Sequence, residues 1–347
     1  MTVTTAAKSR ATFSLSKILF RASLAFIIAG VLWWLGLNFV KDPAQFATIA
    51  VFGLNNGALY ALIALGYTLV YGIIELINFA HGDLFMLSSV FSTFMLVDIL
   101  NVTGQSTTNY FWVIVVLFLS MIFGAVINVT IERLAYRRLR NAPKLAPLIT
   151  AVGVSFILQF VGLQWNGSAP RNFTTVIPDT TYVVAGVQIR IETLLIYAVT
   201  IPLLIALATL VNKTRQGRAM RATAQDKDAS RLMGINVDKT ISYTFALGGA
   251  MAGAAGLMYA QTVGSVAYNL GYQLGLIAFT SAVLGGIGNL YGAVLGGVLI
   301  GLIQGFNDGL SIGPGQKWSQ SMVFTILILL MVYRPAGLLG ISAKEKV

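Results

Sequence analysis

The sequence predicts an all-α, polytopic membrane helical bundle with about ten membrane segments, on three observations. Its residues are 56% hydrophobic and 10% charged, where soluble domains carry roughly 25% charged residues. Apolar residues gather in runs close to the roughly 20 that a helix needs to cross a hydrocarbon core, where only the helix itself can satisfy its backbone N–H and C=O groups. The polar stretches between these runs hold the basic residues. Alternating segments of about 10 residues, the mark of a membrane barrel, do not occur in the sequence.

The runs fall near 24–40, 46–74, 84–100, 111–131, 146–165, 192–211, 241–262, 274–288, 291–306 and 321–333. Ahead of them, 1–16 reads as a flexible cytoplasmic tail carrying Lys8 and Arg10. The first run exceeds a signal-peptide core, and Trp33 and Trp34 at its far end read as interfacial anchors, so a retained helix is expected. The runs at 274–288 and 291–306 are short for full spans and predict a Gly-rich hairpin or re-entrant pair near 274–306. Of the 23 Lys and Arg residues, only Lys41, Arg171, Arg190 and Lys317 fall on the side that an even number of crossings assigns to the outside. The positive-inside rule then places both termini in the cytoplasm. Residues 17–340 read as a single transmembrane domain and 341–347 as a second cytoplasmic tail.

Two polar segments are long. Residues 166–190, with Gly167, Pro170, Pro178 and Gly186, read as an exposed outer loop. Residues 212–240 lie inside and are dense in charge, with Ala229, Leu232 and Met233 at helical spacing, Asp226 or Asp228 as N-cap and Gly234 as terminator. This loop reads as a docking element for a cytoplasmic partner.

The net charge of +11 does not mark a nucleic-acid binder, because the basic residues sit in short segments between apolar runs and not on one soluble face. There is no cysteine and one histidine, so disulfides, thiol chemistry and a metal site are not expected. No lysine follows a glycine, which excludes the Gly-Lys-Ser/Thr loop that cradles ATP. With no paired carboxylates inside the runs, the chain is expected to be no enzyme, to have no catalytic residues and to need no cofactor.

Glycines recur at four-residue spacing, Gly288, Gly292 and Gly296 on one face and Gly297, Gly301 and Gly305 on another, with Gly249 and Gly253 elsewhere. Such faces let two helices approach closely, or leave backbone open to a cavity. Asn55 and Asn56 interrupt an apolar run, where amides bridge helices or meet a substrate's polar groups. Glu75, His81, Asp83, Asp98 and Glu132 are all expected near helix ends, leaving no buried proton relay of the kind secondary carriers use. The stretch Asn78-Phe79-Ala80-His81-Gly82-Asp83 reads either as a turn, with Asn78 capping and Asp83 in the first helical turn, or as a hinge or gate at the inner mouth of a pathway. A self-sufficient channel or secondary carrier stays open should Glu75 or Asp83 lie deeper.

Six ordered stretches between about Phe46 and Gly340 resemble the permeases of bacterial ABC importers for branched-chain amino acids, of the type in the high-affinity leucine system. They are Asn56-Gly57-Ala58-Leu59-Tyr60-Ala61-Leu62 through Val70-Tyr71-Gly72, Ile77 to Asp83, Ile131-Glu132-Arg133-Leu134-Ala135-Tyr136-Arg137, Gly217-Arg218-Ala219-Met220-Arg221-Ala222 through Leu232-Met233-Gly234-Ile235-Asn236, Ala282-Val283-Leu284-Gly285-Gly286-Ile287-Gly288, and Arg334-Pro335-Ala336-Gly337-Leu338-Leu339-Gly340. The resemblance implies ATP-driven uptake of branched-chain or other neutral amino acids across the bacterial plasma (inner) membrane. It implies a second homologous permease subunit, two cytoplasmic ATP-binding subunits and an external or periplasmic substrate-binding protein, with membrane lipid around the bundle. Gly217, Arg218, Arg221, Ala222, Asp226 and Gly234 then belong to the ATPase coupling element, and Asn55, Asn56, Asn78, His81 and Asp83 are candidates for the substrate path. Asp83 departs from the Glu common in the family and Tyr291 from a common Pro, and related permeases carry urea or short amides.

Overall fold

The structure is a computed structural model that describes residues 15–340 apart from Ile77, Thr103, Thr107, Thr108, Asn141, Lys144, Phe173, Thr174 and Asp179. The expected tail at 341–347 and all but the last residues of that at 1–16 lie outside the described residues.

Twelve α-helices carry the described fold: α1 Leu15–Lys41, α2 Pro43–Ile74, α3 Ala80–Phe94, α4 Asn109–Ile131, α5 Leu145–Asn166, α6 Ile191–Lys213, α7 Arg215–Gln225, α8 Lys227–Leu232, α9 Val237–Val263, α10 Leu270–Gly285, α11 Leu290–Gly309 and α12 Ser319–Tyr333. α3 runs on as a π-helical turn to Ile99, and α4 through a π-helical turn to Tyr136 and a short 3₁₀ turn to Leu139. Seven are long and apolar enough to cross a membrane: α2, α3 to Ile99, α4 to Leu139, α5, α6, α9 and α11. This is a multi-pass membrane protein. The remaining apolar runs fall within α1, α10 and α12, the last two only 16 and 15 residues long.

Helices begin before their apolar runs because polar caps start them. Asp42 caps α2 by accepting from Gln45 N, with Pro43 at the first helical position; Asn236 caps α9 through Lys239 N, and Asn289 caps α11 through Gly292 N. α1 is tied to the α11–α12 loop, where Trp34 and Asn38 both donate to the Ile312 carbonyl.

The centre is built on α2 and α9, both buried along most of their length. α11 crosses α2 with Gly297, Gly301 and Gly305 set against the backbone of Ala61, Gly57 and Gly53. Gly292 and Gly296 face the other way, against Gly285 and Ser281 of α10. Gly288 lies in neither helix: it forms, at φ +91°, part of the turn between them, and so departs from the expected stripe. The capped turn Gly286–Asn289 precedes Tyr291, and the C-terminal stretch folds back on it through Leu338 N to Leu284 O and Leu339 N to Gly285 O, each 2.9 Å. On α9, Gly249 and Gly253 meet Gly124 and Ser120 of α4, and Gly256 meets Phe85 and Ser88 of α3. Two backbones at such distances exchange dispersion contacts and weak Cα–H hydrogen bonds, the forces left to helices whose surroundings are as apolar as their side chains.

The segment 166–190 is more ordered than an exposed loop. It contains strand β1 (Arg171–Asn172) and a hairpin of β2 (Thr181–Val184) and β3 (Val187–Arg190). Its middle inserts Val176 and Ile177, both fully buried, under α4, with Asn109 Nδ2 donating to Val176 O and Val176 N to Gln261 Oε1. β1 pairs with β4 (Ser265–Val266) beyond α9, and Arg171 grips Asp98 through two hydrogen bonds of 2.8 and 2.6 Å. Those bonds raise the guanidinium's pKa above its ordinary value.

A methyl group at Gly301 would strike the backbone of Gly57, whereas one at Gly153 on α5 meets nothing within 4 Å. Gly301→Ala is therefore expected to cost about 1–3 kcal/mol by overpacking, and Gly153→Ala to be neutral or slightly stabilising. Thermal melting of the two purified variants checks the contrast.

Candidate functional site

Two neighbourhoods gather the polar side chains. The first lies where α3 and α10 begin. α2 ends at Ile74 with Glu75 as a left-handed cap, exposed at the surface, and α3 starts at Ala80; α10 likewise starts after the non-helical stretch 264–269. The first turns of α3 and α10 cross backbone to backbone, so that a Cβ on Gly82 would sit 2.7 Å from Gly275 Cα. Neither start lies at the edge of the bundle. Asp83 accepts a hydrogen bond from Ser155, the eleventh of the 22 residues of α5, which sets the meeting point halfway along that helix.

This placement corrects the expectation for the stretch 78–83. The residues are at a helix end, but the end is buried: His81 is 0% and Asp83 1% exposed. Asn78 does not cap α3, whose N-cap is Phe79 with no side-chain bond; its Oδ1 instead accepts from Tyr136 Oη at 2.8 Å. His81 fills a notch left by Gly66 and lies edge-on to Tyr67, ring centroids 4.7 Å apart. Asp83 gives one oxygen to Ser155, while Oδ1 has no hydrogen-bond partner. Asn55 is buried with its Oδ1 unpartnered, beside the α2–α11 crossing, and Asn56 is half-buried. At 1.5 Å per residue these two amides stand about 18 Å along α2 from Tyr67, so the expected path residues divide into two places.

Beside Asp83, a cavity of about 730 Å³ opens between α5 and α10, within the range of about 300–1,000 Å³ usual for ligand clefts. Tyr67, Phe79, Val152, Phe156, Tyr272 and Leu276 supply its apolar wall; Ser155, Gln159, Asn269 and Gln273 supply polar groups. Gln159 reaches Ser155 Oγ at 3.4 Å, extending the line from Asp83 to the cavity. His81 and Asp83 stand behind this wall. Sequence reasoning missed Ser155, Gln159 and Asn269. The first two sit four residues apart on an apolar helix, a spacing that puts them on one face.

The second neighbourhood lies where α4 ends and α9 begins. Glu132, expected near a helix end, is 0% exposed. Its carboxylate accepts from Arg137 at 3.2 and 3.1 Å, from Arg140 and from Ser242 Oγ at 2.7 Å, and Arg140 also pairs with Asp238. A buried carboxylate is tolerated only with such partners, and removing one member of a buried pair costs about 3–5 kcal/mol. Tyr136, one turn on, packs on Phe245 and bonds Asn78, which joins this cluster to the approach to α3. Among the described residues no three His, Asp or Glu side chains converge on a metal position.

α7 and α8 adjoin this cluster. Gly217 is buried under the last carbonyls of α6, and Arg221, although exposed, donates to the Val211 carbonyl. These two residues therefore hold α7 onto α6. Arg218 is exposed and Ala222 half-buried. Asp226 caps α8 with bonds of 2.9 Å to Asp228 N and Ala229 N, and Gly234 leaves the helix at φ +80°. Between them Leu232 and Met233 are 89% and 82% exposed.

A buried core of glycine-seamed helices, a polar-lined cleft at half depth and an exposed apolar tip on a charged loop define a membrane transport protein. The family described as branched-chain amino acid transport system, permease component, matches residues 49–332. The chain belongs to this family. It is 37% identical over 299 residues to the high-affinity branched-chain amino acid transport system permease protein BraD of Pseudomonas aeruginosa, covering 85% of this chain and 96% of that one. It is 36% identical over 313 residues to LivH of Escherichia coli, with the same coverage. A shorter likeness, 34% over 106 residues, links it to the autoinducer 2 import permease LsrC of Yersinia pestis, covering 30% of this chain and 29% of that protein. No solved structure matches.

Tyr136→Phe removes the hydroxyl that satisfies Asn78 and leaves a buried amide oxygen unpaired. A loss of about 1–3 kcal/mol is expected, read as a lower melting temperature of the purified protein.

Proposed function

We propose that the chain is one permease subunit of an ATP-driven importer of branched-chain and related neutral amino acids in the bacterial inner membrane. It works by alternating access, paired with a second homologous permease, two cytoplasmic ATP-binding subunits that hydrolyse the nucleotide, and an external substrate-binding protein. The full-length likeness to BraD and LivH supports the cargo class over urea, short amides or unaided flux. Both termini and the loop of α7 and α8 lie on the cytoplasmic face, in keeping with their basic residues.

The observation that carries the docking reading is the pair Leu232 and Met233, exposed on a helix that Asp226 caps and Gly234 ends. Two large apolar side chains held out into water on a rigid, charged element fit a groove on a partner. Movement of α8 reaches the bundle through α9, which follows after four residues and whose Asp238 and Ser242 bond the Arg140–Glu132 cluster.

Cells lacking the gene, complemented with the intact protein, should regain uptake of labelled leucine and not of urea. A Leu232→Glu, Met233→Glu variant should insert at the same level, lose the ATP-binding subunit on purification and take up leucine at background. Leucine uptake at the intact level by that variant would remove the docking assignment.

A further inference from the structure

We infer that the side of the bundle formed by α5 and the start of α10 is the surface on which the second permease subunit docks, a chain of this same fold that closes the cavity between them. This rests on the importer reading and names the surface by which its two permeases meet.

Depth sets the problem that this side poses. α5 lies against the bundle by one face: its buried residues Pro147, Ala151, Ser155, Leu158 and Gly162 recur at three- and four-residue spacing, with Ser155 bonded to Asp83 and Gly162 against Met86 of α3. The other face is bare, and Val152 and Phe156, near the middle of the helix, stand exposed on the rim of the cavity. Across the cavity α10 starts. At 1.5 Å per residue its 16 residues rise about 24 Å from the turn at 286–289, less than the roughly 30 Å of a hydrocarbon core. The chain therefore reaches α10 through non-helical backbone at 264–269, within the membrane layer, and ends it at Asn269 without a side-chain cap.

Lipid does not tolerate such a surface. Irregular backbone and uncapped amides at membrane depth occur only against protein or a water-filled cavity. The side chains agree: Asn269 and Gln273 are exposed at the opening, Tyr272 is 64% exposed, and Gln159 lies half-buried across from them. α4 shows what a lipid face is on this chain, since between Phe111 and Val129 every exposed residue is Phe, Trp, Leu, Ile or Val.

Depth also selects the occupant. The ATP-binding subunits and the substrate-binding protein of the importer lie in water on either side, and only another membrane-embedded chain reaches half depth. Residues 145–166 and 264–285 contain no Asp, Glu, Lys or Arg. The equivalent face of a second permease then meets this one without like-charge repulsion, and side-chain amides, which both donate and accept, pair with their own kind. Phe156 and Phe160, both exposed on α5, supply the large apolar contacts around them.

A photoreactive p-benzoylphenylalanine is placed at Phe156, 56% exposed, or at Phe118 on α4, 59% exposed, each near the middle of its helix. Membranes of cells making the whole importer are irradiated. Position 156 should give adducts with a permease of this family, identified by its peptides, and position 118 adducts with lipid only. Gly153 is exposed one turn from Phe156, and a Cβ added there meets nothing within 4 Å. Gly153→Trp should keep the melting temperature of the purified chain and lower the second permease that copurifies with it about 10-fold, whereas Ile122→Trp on α4 should lower neither. Adducts with lipid alone at position 156, permease adducts in equal yield at position 118, or undiminished copurification with Gly153→Trp would each overturn the surface. If Gly153→Trp lowers the melting temperature, the two photoreactive positions decide alone. A second permease that copurifies with the intact chain while position 156 meets lipid removes the surface only; no second permease in that purification removes the importer reading.

Discussion

Backbone-to-backbone contact at glycine is the constraint on which the rest of this structure depends. In a lipid surround, apolar side chains gain little by leaving one another's company for a neighbouring helix, so association rests on close approach. α11 meets α2 at Gly53, Gly57, Gly297, Gly301 and Gly305, and α9 meets α4 at Gly124, Gly249 and Gly253. The same device brings the first turns of α3 and α10 together at Gly82, Gly271 and Gly275. Without it the two interrupted helices could not meet inside the bundle, and Asp83 would have no buried setting.

From that packing follows the arrangement of charge. Asp83 and Glu132 are both sequestered, and the structure treats them differently. Glu132 is surrounded by Arg137, Arg140 and Ser242, a closed set that fastens α4 to α9. Asp83 is half-satisfied, beside a cleft. A saturated cluster stabilises one arrangement of two helices, whereas Asp83 is anchored to α5 through Ser155. Tyr136 packs on Phe245 of α9 and donates to Asn78 ahead of α3, so side chains in direct contact link the two regions.

Much of this was legible in the sequence. Every apolar run overlaps a helix, although the run at 274–288 overshoots α10 into the turn, because hydropathy reports what must avoid water and not where a helix ends; Asp226 and Gly234 bound α8 as their capping chemistry implies. What hydropathy does not report is depth. His81, Asp83 and Glu132 read as helix-end residues, and the inference from helix end to helix mouth failed because α3 starts inside the bundle. The spacing of glycines announced close packing, yet only the turn at 286–289 reveals that Gly288 bends the chain while Gly292 and Gly296 face one helix and Gly297 and Gly301 another. Ser155 and Gln159 went unnoticed since a single hydroxyl and a single amide on an apolar helix carry no distinctive pattern. Gly217 and Arg221 belong to a motif whose text suggests a partner, and their contacts turn out to be with α6.

The paired starts of α3 and α10 also bear on how tightly the protein must seal. Where two helices stop short from opposite directions, polar backbone and water can enter from either face as far as the crossing, and the insulating layer between them shrinks to the thickness of a few side chains. A membrane potential then falls across that short layer, so the local field there is steeper than across intact bilayer. Tyr67, His81 and Phe279 pack edge-on to one another at the crossing. A barrier this thin leaves little margin in its packing. For the same reason, one misplaced side chain there would turn a carrier into a leak.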